Sequence, residues 1–126
     1  MSGLSIDKKI YKILKNDDKI KELVGDEIYP IVRNKEKIDK PFIIYQKDNV
    51  VPTTVKGMVA CDEVTIGFLI VYKNLDITID IAERIRELFE LRNDDYFYRV
   101  DLNETAEYYE NDCYCQEITF KCLVQK

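Results

Sequence analysis

Residues 62–90 read DEVTIGFLIVYKNLDITIDIAERIRELFE, and the period of their apolar pattern changes half-way along. Up to Tyr72, Val64, Ile66, Phe68, Ile70 and Tyr72 alternate with Glu63, Thr65, Gly67, Leu69 and Val71. Such alternation makes a strand, because successive side chains point to opposite faces. From Ile77 the spacing is helical: Ile77, Ile81, Ile85, Leu88 and Phe89 line one stripe, leaving Glu83, Arg84, Arg86, Glu87 and Glu90 for water. Asn74 or Asp76 can cap this helix. A strong strand running straight into an amphipathic helix gives a mixed chain, and its neighbours decide the mixture.

Toward the C-terminus, Asn93-Asp94-Asp95 ends the helix. Residues 96–102 alternate again, with Tyr96, Tyr98, Val100 and Leu102 on one side, and 103–107 read as a connection or bulge. Asn111-Asp112 is a turn. Residues 113–124 form the last strand, with Tyr114, Gln116, Ile118, Phe120, Cys122 and Val124 on one face. Toward the N-terminus, Phe42-Ile43-Ile44-Tyr45-Gln46 is apolar on both faces, as in a central strand. Between these strands lies KDNVVPTTVKGMVAC (47–61), with Pro52, Gly57 and a β-branched run at Thr53-Thr54-Val55. It reads as a long hairpin arm or loop, partly ordered, and loops of that length are usually functional.

Residues 5–24 are helical, with Ile6, Ile10, Ile13 and Leu14 on one stripe. Asn16-Asp17-Asp18 interrupts it, and either aspartate can cap a second short helix through Ile20, Leu23 and Val24. Gly25 is the natural C-cap. In VGDEIYPI (24–31), Pro30 cannot donate to a ladder, so Glu27-Ile28-Tyr29-Pro30 is a short or edge strand. Residues 33–40 are a charged connection. The order α, β, β, β, α, β, β describes an α+β domain spanning 1–126: an antiparallel or mixed sheet of about four to five strands with two helices packed on one face.

The composition excludes several functions. A net charge of −5 opposes a nucleic-acid binder, which needs a basic face. Histidine is absent, which removes the commonest general base and a favoured metal ligand. No phosphate-binding glycine loop, nucleophile elbow or HExxH pattern occurs. The acids at Asp17, Asp18, Asp26 and Glu27 lack the spacing of a calcium loop, and Asp94, Asp95 and Asp101 read as turn and surface residues. No enzyme, cofactor or metal site is expected. No apolar run reaches the roughly 20 residues of a membrane span, and MSGLSIDKK lacks the apolar core of a signal peptide. Folding in the cytosol, with Cys61, Cys113, Cys115 and Cys122 reduced, is the expectation. Cys113 and Cys115 share one strand face and read as small half-buried residues, with a metal or redox role as the rarer alternative. The nine tyrosines admit two readings, interface residues or half-buried strand positions. Base stacking would need a basic groove that the sequence does not supply.

The pieces in order are IYKILKNDDKIKELVG leading into DEIYPIV, PFIIYQ after a charged gap, a variable arm, DEVTIGFLIVYKN with DITIDIAERIRELFE, and a hairpin ending in NDCYCQEITFKCLV. Together they resemble the tail-completion family of long-tailed phages and prophages, whose fold is similar to tail terminators and head–tail joining proteins. The resemblance covers nearly the whole chain, and its sharpest pieces are the helix–Gly–acid–x–Ile–Tyr–Pro junction and the Pro–Phe–Ile–Ile–Tyr strand. One departure is the final hairpin, which carries acids and cysteines where a more basic strand is expected.

The resemblance implies a structural morphogenesis protein without catalysis. It implies a ring, usually a hexamer, at the head-proximal end of the tail, ending the tube or joining it to the head. The implied partners are further copies of the chain, the tail tube protein and the head connector protein, with no sequence-specific nucleic acid and no membrane. The implied location is the host cytoplasm during assembly and then the virion. Candidate contacts are Val50, Val51, Pro52, Val55 and Met58 of the arm, Tyr29, and Tyr108, Tyr109 and Tyr114. An acidic inner face that lets DNA slide past would suit such a ring. The competing class is a cytosolic homo-oligomeric α+β adaptor or regulatory binding module, which would form a small oligomer independent of any tube.

Overall fold

The alternating strand quoted above becomes the middle of a five-stranded sheet. The computed structural model describes residues 2–55 and 59–125. A 3-10 turn at Gly3–Ser5 leads into α1 (Ile6–Asn16) and α2 (Asp18–Val24), followed by β1 (Ile28–Pro30), β2 (Phe42–Val55), β3 (Val59–Tyr72), α3 (Leu75–Phe89), β4 (Phe97–Glu110) and β5 (Cys113–Gln125). The strand order is β1-β2-β3-β5-β4. β1 runs parallel to β2, and every other neighbouring pair is antiparallel. The sheet is therefore mixed, in an α+β fold. β4 lies beyond β5, so α3 carries the chain across the sheet from β3 to the far edge.

One face of the sheet holds the core. Ile43 and Tyr45 of β2, Val64, Ile66, Phe68 and Ile70 of β3, and Ile118, Phe120, Cys122 and Val124 of β5 pack against Ile6, Ile10, Leu14, Ile20, Val24, Ile81, Ile85 and Phe89 of the helices. Phe89 meets Phe68 at 5.0 Å and Phe120 at 6.0 Å between ring centroids. Burial pushes the Cys122 thiol up to about 12, so it remains protonated and inert at neutral pH.

The N-terminal helical stretch divides into α1 and α2, with the second short helix capped by Asp17, so three α-helices form among the described residues. Asp17 makes the break: its backbone is extended, and its side chain accepts the Ile20 N–H at 3.0 Å to start α2. The same carboxylate takes both prongs of the Arg84 guanidinium from α3, with Nε at 2.9 Å. Asn74 is the cap of α3, accepting from the Ile77 N–H.

Four other expectations are settled or changed. Of the two readings of 47–61, the structure takes the hairpin arm rather than the loop wherever the segment is described, since β2 runs to Val55 and pairs through Val55↔Val59. The 103–107 stretch is also strand, and β4 continues to Glu110. Tyr98 does not share a face with Val100. It is the extra residue of a bulge between Phe97 and Arg99, so Phe97 and Val100 enter the core while Tyr98 stays exposed. Cys113 and Cys115 are fully buried rather than half-buried, because they join a second apolar cluster with Phe42 and Val71 on the opposite face.

The Arg84 guanidinium beside Asp17 holds its carboxyl below the usual carboxylate range. A lowered pKa stabilises the fold above the unfolded value, and that contribution is lost as pH falls through the folded one. Asp17→Ala should cost about 2–3 kcal/mol at neutral pH, for one cap and one partly buried charge-assisted pair. Urea midpoints measured down a pH series should show the deficit shrinking below the carboxylate range, where wild type loses the same bonds.

Candidate assembly surfaces

Among the described residues, no helix packs on the opposite face of the sheet. Cross-strand register lines its residues into rows: Phe42, Val71, Cys115 and Tyr108, then Ile44, Leu69, Glu117 and Ala106, then Gln46, Gly67, Thr119 and Glu104. The first row is covered. Tyr29 and Ile38 pack onto it from the β1 side and Tyr108 from the β4 side. The later rows form an open surface with a shallow pocket of about 300 Å³, lined by Ile31, Ile44, Gly67, Leu69, Glu117 and Thr119 among others. Ile31 at its margin is 71% exposed.

The sequence candidates fall at two ends of this sheet. Tyr108, Tyr109 and Tyr114 come together at the β4–β5 tip. Asn111 and Asp112 both have positive φ, at 52° and 63°, in the two-residue turn that joins these strands, as a primed hairpin turn requires. Tyr109 and Tyr114 are register partners with ring centroids 5.0 Å apart and planes at 64°. Tyr109 is 59% exposed. Tyr108 is half-buried and donates to Glu117 Oε1 at 3.0 Å. Burial, together with that acidic acceptor, pushes its hydroxyl up to about 12.

The arm lies at the other end. Val50 faces the helix side and packs against the main core, whereas Val51, opposite Glu63, is exposed on the open face. Pro52 is exposed opposite Asp62, and Val55 closes the strand opposite Val59. Met58 lies outside the described residues.

Tyr29 is engaged within its own chain. Its hydroxyl donates to Glu27 and accepts from Lys35 Nζ at 3.0 Å. The residue that organises this corner is Arg33, which the sequence left inside a charged connection. Its side chain is only 5% exposed and lies over the Phe42 ring at 4.4 Å. Its fork donates to the Lys35 and Lys37 carbonyls and to Glu27 Oε1 at 3.1 Å. Glu27 is held below the usual carboxylate range, first by the Tyr29 hydroxyl and then by Arg33. The only hint in the sequence was an arginine soon after a strand-ending proline.

Charge is sorted across the surface. Lys8, Lys12, Lys15 and Lys19 recur at helical spacing along α1 and α2, all exposed. Glu104, Glu107 and Glu110 punctuate exposed β4, with no base between Asp101 and Thr119. Among the described residues, none of these seven side chains makes a salt bridge. The same residues include no group of three His, Cys, Asp or Glu side chains placed to hold a metal ion, and no helix long and apolar enough to cross a membrane.

This fold is similar to that of a chain in the virion of the native gene transfer agent (GTA) particle. The two align with a TM-score of 0.75 at 12% identity, covering 93% of this chain and 92% of that one. At that identity the likeness concerns the fold. No protein-family model and no curated protein matches the sequence.

Arg33→Ala should release the 31–40 segment from Phe42 and lower stability by about 2 kcal/mol, the scale of charge-assisted hydrogen bonds plus a desolvated cation–π contact. Arg33→Lys should recover less than half of that, because an ammonium cannot span three acceptors from one plane. Chemical denaturation of both variants checks the difference.

Proposed function

We propose that the chain is a structural protein of a phage-like virion, acting as a ring at the head-proximal end of a tail. There it terminates the tail tube or joins the tube to the head connector. The observation that carries this reading is the end-to-end likeness of fold to a chain of the GTA virion. A match over nearly the full length of both chains favours a shared architectural task over a borrowed subdomain, and the phage resemblance of the sequence points the same way. The absence of histidine and the exposed strand edges fit a protein that works through repeated surface area rather than through an active site. On this reading the partners are other copies of the chain, the tail tube protein and the connector. The acids Asp48, Glu63, Glu104 and Glu117 on or beside the open sheet face are suited to keep DNA from adhering where that face meets the lumen.

Electron microscopy and native mass measurement of the purified protein, with and without tail tube protein, test the reading. Sixfold rings or capped tube ends are expected. A compact dimer with no affinity for tubes would overturn it.

A further inference from the structure

Each margin of the sheet has a stretch of unpaired backbone, on β2 beyond the short β1 and on the outer strand β4. On β2, the neighbour β1 covers only Ile43, Ile44 and Tyr45, and the Ile31 N–H closes the Tyr45 carbonyl at 2.9 Å. From 46 to 55 the outer edge has no backbone partner among the described residues. On β4, the Asp94 and Leu91 N–H groups close the Phe97 and Val100 carbonyls, and from 101 to 110 the outer edge is likewise free. The two free stretches are equally long.

The ladder shows which groups point outward. In an antiparallel pair, alternate residues turn their N–H and C=O away from the partner. Ile43 and Tyr45 do so, since their outward groups bond to β1 and its flanks. The register carries that alternation through the bulge at Asp48 to Val50, Pro52 and Thr54. On β4, Val100 sets the phase, and the bulge at Asn103 shifts it to Thr105, Glu107 and Tyr109. Pro52 thus occupies a position whose N–H would have faced outward, where proline costs the hairpin no bond.

We propose that copies of this chain join through these edges. Residues 101–110 of β4 in one copy add to residues 46–55 of β2 in the next, continuing the sheet from subunit to subunit. This rests on the ring reading above and names its contact. Strand direction permits it: following the antiparallel pairs from β2 through β3 and β5 to β4, the two edges run oppositely, so β4 meets β2 antiparallel when neighbouring copies share one sheet orientation. Charge selects it. Two β4 edges brought together would set Glu104, Glu107 and Glu110 against their own copies, which is unfavourable. Residues 50–55, VVPTTV, carry no charge and accept the acidic edge without repulsion. A joint between unlike edges is heterologous and propagates until it closes, which is the symmetry of a ring. The two free stretches lie at opposite ends of the sheet, so the joint is staggered and tilts the strands, as closure of a sheet requires.

Hydrogen exchange on monomer and assembly is the direct test. Assembly should slow the amides of Val50, Thr54, Thr105, Glu107 and Tyr109 at least tenfold. Exchange at those amides unchanged in a formed ring would overturn the joint while leaving the ring reading intact. A wild-type protein that never forms rings, alone or on tubes, removes the ring reading itself. Thr105→Pro deletes one outward N–H and should yield a monomer with wild-type circular dichroism that fails to assemble. Rings formed by T105P at wild-type concentration would also count against the joint. Replacing Glu104, Glu107 and Glu110 by glutamine should add symmetric dimers absent from wild type. If circular dichroism shows that T105P is misfolded, the exchange comparison on wild type decides alone.

Discussion

Everything in this fold hangs on the place where α3 lies flat on β3 and β5, fixed by Phe89 wedged between Phe68 and Phe120. Phe89 is the last residue of the helix, and Phe68 and Phe120 sit on adjacent strands. With all three rings buried, the helix must cross β5 before the chain can turn back. β4 therefore lands beyond β5 and becomes the far edge, and a strand edge with hydrogen-bonding capacity is created there by packing rather than by strand preference.

The other helices are held by polar rather than apolar detail. Asp17 caps α2 and clasps Arg84, which ties the broken N-terminal helix to α3. The start of the chain is tied down as well: the Gly3 N–H donates to the buried Asp62 carboxylate at 2.9 Å and the Tyr96 hydroxyl donates to the Ser2 carbonyl at 2.6 Å. A side chain at Gly3 would come within 2.7 Å of Val64, so only glycine allows this approach. Short polar locks of this kind position elements without adding much burial, and they leave little trace in an apolar pattern.

That difference explains what the sequence could and could not say. The strand at 62–72 and the helix at 77–89 were legible because each buries one face, and burial writes a period into the residues. The short β1 was legible through Pro30. The parallel pairing of β1 with β2 was not, because it depends on Arg33 folding the 31–40 segment back, and a single side chain has no period. The alternation of β4 misled at Tyr98 and faded after Leu102 because bulges at Tyr98 and Asn103 reset it. Polar residues along an unpaired edge then removed what contrast was left. Of the candidate contacts, the tyrosines of the β4–β5 tip were gathered by one hairpin turn. Tyr29 and the arm were placed apart, since no local pattern reports which end of a sheet a strand terminus reaches.

The bulges have a further meaning for the length of the chain. Asp48 and Asn103 are each one residue more than their partner strand has, and the ladder absorbs the surplus locally. Loss of either would restore a regular strand and leave Val50 or Thr105 on the face it now occupies. Loss of one residue from β3 between Val64 and Ile70 would instead invert a run of core side chains. The margins of this sheet thus tolerate drift in length over evolutionary time, while its central strand does not. Relatives of this chain should differ in length first along these two strand margins.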